Sequence, residues 1–214
     1  MCSPGAIATV FGAGLSSGPP EKAEQAPATR LNGLRVKANG DYIPILYASA
    51  TQVNFLCPDA PDGTELLILV ETEAGQSDPV TTQAQYAVPG IFTLDGAGEG
   101  QGAIFVNGTQ EVAMVRNPLL PSRPAQRGDV VLIFASGLGP LSSTALPLVH
   151  IGETPAEVQA AGAAPGLPGV TQVVVKVPAN APVGDQIPVS ILVTLPDGRT
   201  SSSNSATIAI EELR

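Results

Sequence analysis

The chain has no tryptophan, one histidine and two cysteines in 214 residues, and each shortage closes off some chemistry. Three Tyr and five Phe leave little planar surface of the kind that carbohydrate-binding sandwiches use for stacking. A hydrolase triad would have only His150 as its base. In Leu148-Val149-His150-Ile151 the alternation sets Val149 and Ile151 on one face and His150 on the other, an outward strand position. No Gly-x-Ser-x-Gly elbow is present, and Ala135-Ser136-Gly137 falls one residue short of it. Two cysteines and one histidine at unrelated spacing build no zinc site. Phosphate loops and dinucleotide fingerprints are absent too. The residues therefore offer no catalytic, cofactor-binding or metal-binding set.

Positive charge is also scarce, with 10 Lys and Arg against 19 Asp and Glu, a formal net charge of −9. Nucleic acid requires a basic stripe, and none exists here. Anionic membrane surfaces are disfavoured for the same reason. The longest apolar run, Val130 to Ala135, is far short of the ~20 residues that span a bilayer, so no membrane insertion is expected. Met1-Cys2-Ser3-Pro4-Gly5 carries neither a basic n-region nor an apolar h-region. That start reads as a fragment or a mature form, and export has to be argued from other features.

What the chain does have is 43% hydrophobic residues, 23 Gly and 21 Pro. That mixture suits many short strands joined by tight turns. It also contains a repeat. Thr51-Gln52-Val53-Asn54-Phe55-Leu56-Cys57-Pro58 returns as Thr171-Gln172-Val173-Val174-Val175-Lys176-Val177-Pro178, and the strands and turns around each copy follow in the same order. In both copies alternate residues are apolar and a proline ends the strand. About seven short strands surround each copy, which predicts two tandem β-sandwiches. The expected domains are 1–90 and 128–214. Residues 91–127 form a linker whose hairpin, turning at Asn107-Gly108, packs on the second domain. Ser16 to Arg30 reads as a surface loop and Ile43 to Tyr47 as one return strand.

Several residues stand out from this strand pattern. Cys2 and Cys57 either form a disulfide or leave Cys57 as a small core hydrophobe, like its counterpart Val177, with Cys2 free. Gln52 and Gln172 sit opposite the core face in both copies. An amide there is expected to bond to a neighbouring loop backbone, a structural role. Asp95-Gly96-Ala97-Gly98-Glu99 carries acids but not the EF-hand ligand order, so it reads as a solvated turn. Arg127-Gly128-Asp129 spells a short adhesion motif, yet Gly128 holds the repeat position of Gly5 and is explained by a turn. Asn107-Gly108-Thr109 is a glycosylation sequon coinciding with a hairpin tip. Tyr42 is the one aromatic whose place in the alternation suggests an exposed ring.

The string Pro4-Gly5-Ala6-Ile7, Gly12-Ala13-Gly14-Leu15, Asn39-Gly40, Ala50 to Asn54, Pro58 and Gly63 resembles the IPT/TIG immunoglobulin-like domain. Val88 to Phe92, Gly100 to Ala103, Ala135 to Pro140 and Thr171-Gln172-Val173 extend this over nearly the whole chain. There the chain resembles an uncharacterised C-terminal domain family of secreted acidobacterial proteins. The resemblance implies an all-β pair of tandem immunoglobulin-like sandwiches, extracellular or at the cell surface, with no catalytic residues and no cofactor. The first functional expectation is thus a non-catalytic scaffold, adhesion or spacer module, binding a protein or polysaccharide and self-associating through open sheet edges. A carbohydrate-binding accessory module of an exported enzyme is the alternative, and a hydrolase with an unfamiliar site is the third.

Overall fold

The computed structural model describes residues 1–24, 28–141 and 146–212. Every regular element among the described residues is a strand. The chain divides into two compact units, Met1–Tyr86 with Pro165–Gly169, and Ala87–Ala164 with Val170–Arg214.

The first unit contains β1 (Ile7–Phe11), β2 (Glu21–Lys22), β3 (Arg35–Ala38), β4 (Asp41–Ile43), β5 (Ile45–Ala48), β6 (Gln52–Leu56), β7 (Glu65–Thr72), β8 (Gly75–Gln76) and β9 (Val80–Gln83). One sheet runs β1-β6-β5-β2, and the other runs β4-β3-β7-β8 with β9 also on β7. The expected return strand over 43–47 is split. Pro44 has no N–H to give a ladder, and on either side of it β4 pairs with β3 while β5 pairs with β6. The chain thereby passes from one layer of the sandwich to the other. Ser16 to Arg30 is likewise not all loop, because Glu21 and Lys22 pair with Ala48 and Tyr47. Residues 25–27 of that stretch lie outside the described residues. Alternation supplies the core: Val53, Phe55, Leu66, Ile68 and Val70 are buried together with Leu34, Val36 and Ile45. Each such side chain contributes roughly 1.5–3 kcal/mol.

The second unit contains β10 (Gly90–Ile91), β11 (Gly100–Gln101), β12 (Ile104–Val106), β13 (Val112–Ala113), β14 (Ser122–Arg123), β15 (Ala125–Gln126), β16 (Val130–Ser136), β17 (Leu148–Ile151), β18 (Thr154–Ala163), β19 (Thr171–Lys176), β20 (Gly184–Thr194), β21 (Thr200–Ser202) and β22 (Ala206–Glu211). Here the layer change happens inside one strand. Thr154 to Ala156 of β18 pair with β17, and Glu157 to Ala163 pair with β19. Hydrogen bonding is therefore continuous through a two-layered sandwich. β12 and β10 add to the outer edge of β16.

The two units match pair by pair. Phe11 stands opposite Gln52, and Phe134 opposite Gln172. Each repeated strand meets its other neighbour through one bulge, between Ile45 and Tyr47 in the first unit and between Val158 and Ala160 in the second. Gly5 donates to Cys57 O at 3.0 Å, and Gly128 to Val177 O at 2.9 Å. Both glycines adopt positive φ, +70° and +88°, a conformation open to glycine without steric cost. Ser77 Oγ accepts the Val70 N–H at 3.0 Å and donates to Asp78 O at 3.0 Å. Ser203 Oγ does the same with Ile191 N–H and Asn204 O, at 2.9 and 2.7 Å. The duplicated plan is a pair of immunoglobulin-like β-sandwiches.

Candidate functional site

In the first unit, four strands bring a polar cluster onto the outer face of one sheet. Strand β3 supplies Arg35 and Lys37, β4 Tyr42, β7 Glu71 and β8 Gln76. The pairing Lys37↔Leu69 and Lys37↔Tyr42 sets the register, and alternation turns these side chains away from the core. Glu71 is the hub. Its Oε2 accepts from Lys37 Nζ and Gln76 Nε2, each at 2.7 Å, and its Oε1 accepts from Tyr42 Oη at 2.9 Å. Arg35 and Lys37 lie 4.6 and 4.8 Å from the Tyr42 ring centroid, within cation–π range.

These bonds hold the Glu71 carboxylate down to about 2, with Lys37 the largest cause and Tyr42 and Gln76 next. Lys37 is raised above its ordinary value, chiefly by the same bond. Both shifts move away from neutrality. A general acid or base works best when it titrates near the operating pH, so this pair is fixed charge rather than a proton relay. The Tyr42 ring is 40% exposed, but its hydroxyl is engaged by Glu71 and cations lie against the ring. A shallow cleft of about 290 Å³ adjoins the cluster, lined by Arg30, Gly33, Arg35, Glu71, Thr72 and Glu73. A second of about 400 Å³ shares Gly33, Thr72 and Glu73 with it and extends to Ser16, Ser17 and Asn32.

Among the described residues the second unit has no such cluster. Matching ladder positions replace Lys37, Tyr42 and Glu71 with His150, Pro155 and Leu192. His150 faces Ser190 across the ladder, and it makes no side-chain hydrogen bond to a described residue.

The residues singled out by sequence take up separate places. Cys2 and Cys57 are joined in a disulfide, with Cα atoms 5.6 Å apart. The matching pair in the second unit is Ala125 and Val177: Cys2 bridges to Ala84 as Ala125 does to Ile210. Gln52 does not bond to a loop backbone. Its Nε2 donates instead to Asn54 Oδ1 at 2.8 Å, which also accepts from Thr9 Oγ1 at 3.1 Å. Gln172 makes no side-chain hydrogen bond to a described residue. Two asparagines make such backbone contacts instead, one in the Asn39-Gly40 turn and one at Asn204. Asn39 bonds the backbone of Glu65 and Leu67, and Asn204 bonds that of Ile91 and Gly98.

Asp95 Oδ1 accepts from Ala97 N at 3.0 Å, which is the main cause of its lowered pKa. Among the described residues no three His, Cys, Asp or Glu gather as metal ligands. Arg127 donates to Ala181 O, and Asp129 accepts from Arg123 and Gln126 N, so both charged members of that tripeptide serve internal contacts. Asn107 to Thr109 form the turn between β12 and β13, where Thr109 Oγ1 donates to Val106 O. No helix among the described residues is long and apolar enough to cross a membrane.

No family model matches the chain, and no curated protein matches it. Solved structures do. SGBP-B of the Bacteroides ovatus mixed-linkage glucan utilization locus, solved in complex with a mixed-linkage heptasaccharide, is 12% identical, with a TM-score of 0.42. The alignment covers 99% of this chain and 44% of that one, so the chain spans less than half of that protein's length. The titin immunoglobulin tandem A164-A165 is 9% identical over 99% of this chain and 92% of its own, with a TM-score of 0.27. Sidekick-1 immunoglobulin domains 1–4 are 12% identical over 100% and 45%, with a TM-score of 0.25. The fold itself, tandem immunoglobulin-like sandwiches, rests on the strand pairing above.

Proposed function

We propose that the chain is a non-catalytic module of a secreted or cell-surface bacterial protein, of the IPT/TIG type and akin to the acidobacterial C-terminal family. It spaces, anchors or attaches the polypeptide that carries it. One observation carries this reading: what the two units hold in common is framework. The shared features are ladder register, a bulge, turn glycines and serine clamps on the backbone. Outer-face side chains are not held in common: Lys37, Tyr42 and Glu71 stand where the second unit has His150, Pro155 and Leu192, and such faces are where each unit would meet a partner. Two further points support it. The ionisable groups with resolved shifts are pushed deeper into their charged forms, and a disulfide suits an oxidising compartment.

The test is turnover. Purified protein is incubated with polysaccharide, ester and peptide substrates, and products are followed by mass spectrometry. The expected result is no product in any arm. A product whose formation is abolished by His150→Ala or Glu71→Gln would overturn the reading.

A carbohydrate-binding accessory role is favoured by one specific observation. Phe11 is 75% exposed beside the Gln52, Asn54 and Thr9 side chains, a ring next to hydroxyl-matching groups. Tyr42, with its hydroxyl and ring already engaged, does not strengthen it.

A further inference from the structure

The two units differ most at one edge. Strand β1 ends its sheet, while its twin β16 is flanked by β12 and β10. In β1, Cys57 N–H donates to Ala6 O and Gly12 N–H to Thr51 O. Alternate residues of an antiparallel edge point opposite ways, so Thr9 and Phe11 direct their backbone groups away from β6. Neither backbone bonds to any other described residue. The matching residues Leu132 and Phe134 are occupied: Phe134 N–H donates to Ala103 O at 3.1 Å and Phe134 O accepts from Phe92 N–H at 3.0 Å. Phe105 of β12 stands opposite Leu132 and meets the Phe134 ring edge-on, 5.6 Å between centroids. Phe134 is half-buried, whereas Phe11 is 75% exposed.

The second unit therefore shows what a complete edge looks like. We propose that the Thr9–Phe11 edge of β1 is a docking site for an extended segment of a separate polypeptide, added antiparallel as a further strand. Its chemistry is that of Ala103 to Asn107: a bulky apolar residue opposite Thr9, reaching diagonally over Phe11. Main-chain bonds to Thr9 and Phe11 supply affinity, and the diagonal apolar pair sets register. Strand addition covers the ring and pairs the outward N–H and C=O groups of Thr9 and Phe11 in ladder register, whereas a glycan has no main-chain repeat to match them. The inference rests on the attachment reading above and names the surface through which attachment occurs.

The probe is a synthetic peptide of this chain's own residues 100–110, titrated into the isotope-labelled full chain and followed by amide NMR. The expected result is saturable shifts centred on Thr9, Phe11 and Gln52, with a scrambled peptide silent. Thr9→Pro deletes one outward N–H at an edge that tolerates proline, and should weaken binding roughly two- to tenfold. Phe11→Asp should weaken it as well, with folding checked by an unchanged melting temperature. No shift up to about 5 mM peptide, the weak limit for such a site, overturns the proposal, as do shifts centred elsewhere. A soluble neutral β-glucan run in parallel is the competing arm. Shifts at Phe11 from the glucan that survive Thr9→Pro overturn strand docking in favour of a sugar surface. None of these outcomes bears on turnover, so failure here stays separate from failure of the non-catalytic reading.

Discussion

The two sandwiches share a backbone plan and differ in how each is closed. The first unit is fastened covalently where the second is merely packed: Cys2–Cys57 occupies the place of Ala125 and Val177. The second unit is fastened, through β10 and β12, at an edge that the first leaves unpaired at Thr9 and Phe11. A small domain with little core per residue gains most from a staple, and a larger one can complete its own sheet. One blueprint thus tolerates two ways of being stabilised, and the free edge accompanies the stapled unit.

The largest expected effect breaks the covalent difference. Cys2→Ala with Cys57→Val gives the first unit its twin's residues and removes a 55-residue cross-link, worth about 4 kcal/mol in the chain-entropy model. Calorimetry should show the first unit's transition falling and the second unit's unchanged. If both shift equally, the units do not unfold independently.

Next is a pair of matched glycines. Gly14 and Gly137 both have positive φ, +64° and +73°. A methyl group at Gly137 would coincide with the Val88 carbonyl oxygen, whereas the space at Gly14 is open. Gly14→Ala should cost roughly 1–2 kcal/mol for the left-handed backbone alone. Gly137→Ala should cost about 3 kcal/mol or more once the clash is added. Equal denaturant midpoints for the two variants would contradict the close approach at Val88.

The serine clamps should behave alike in both units. Ser77→Ala and Ser203→Ala each strip a partner from a strand N–H, at Val70 and Ile191. Each should cost about 1–2 kcal/mol, and hydrogen exchange at those two amides should accelerate in parallel. Acceleration in only one unit would break the equivalence.

The smallest effect concerns the outer-face cluster. Glu71 has a folded pKa of about 2 against an ordinary 4.5. Because the folded value is depressed, its stabilisation is present above about 4.5 and fades as pH falls toward 2. Wild type should exceed Glu71→Gln in stability at neutral pH, by a margin that shrinks over that window and in high salt. Leu192→Asn, at the matching position, should show no such pH dependence.

Much of the framework was readable because it is local. The Gln-Val strands alternate in register with their cores, and Gly5 and Gly128 mark the same turn from four residues of context. What stayed hidden depends on partners distant in sequence. The break at Pro44 is a change of sheet, which only pairing reveals. Glu71 gathers bonds from Lys37, Tyr42 and Gln76, brought together by three strand pairings. Gln52 attracted notice by repetition, yet its bond partner Asn54 has no counterpart at Val174, so repetition marked a ladder position and not a shared contact. Sequence left the two cysteines undecided because nothing local says that the start of the chain lies beside the end of β6. The unpaired backbone at Thr9 and Phe11 is a fact about what lies next to them, and neither residue encodes that.

The Cys2–Cys57 link also divides the first unit mechanically. Tension applied along the chain would bypass the 55-residue loop between the two sulfurs, so roughly 180–200 Å of contour stays locked while the bond is oxidised. A reducing environment would release that length to forced unfolding of the first unit without altering a single surface side chain.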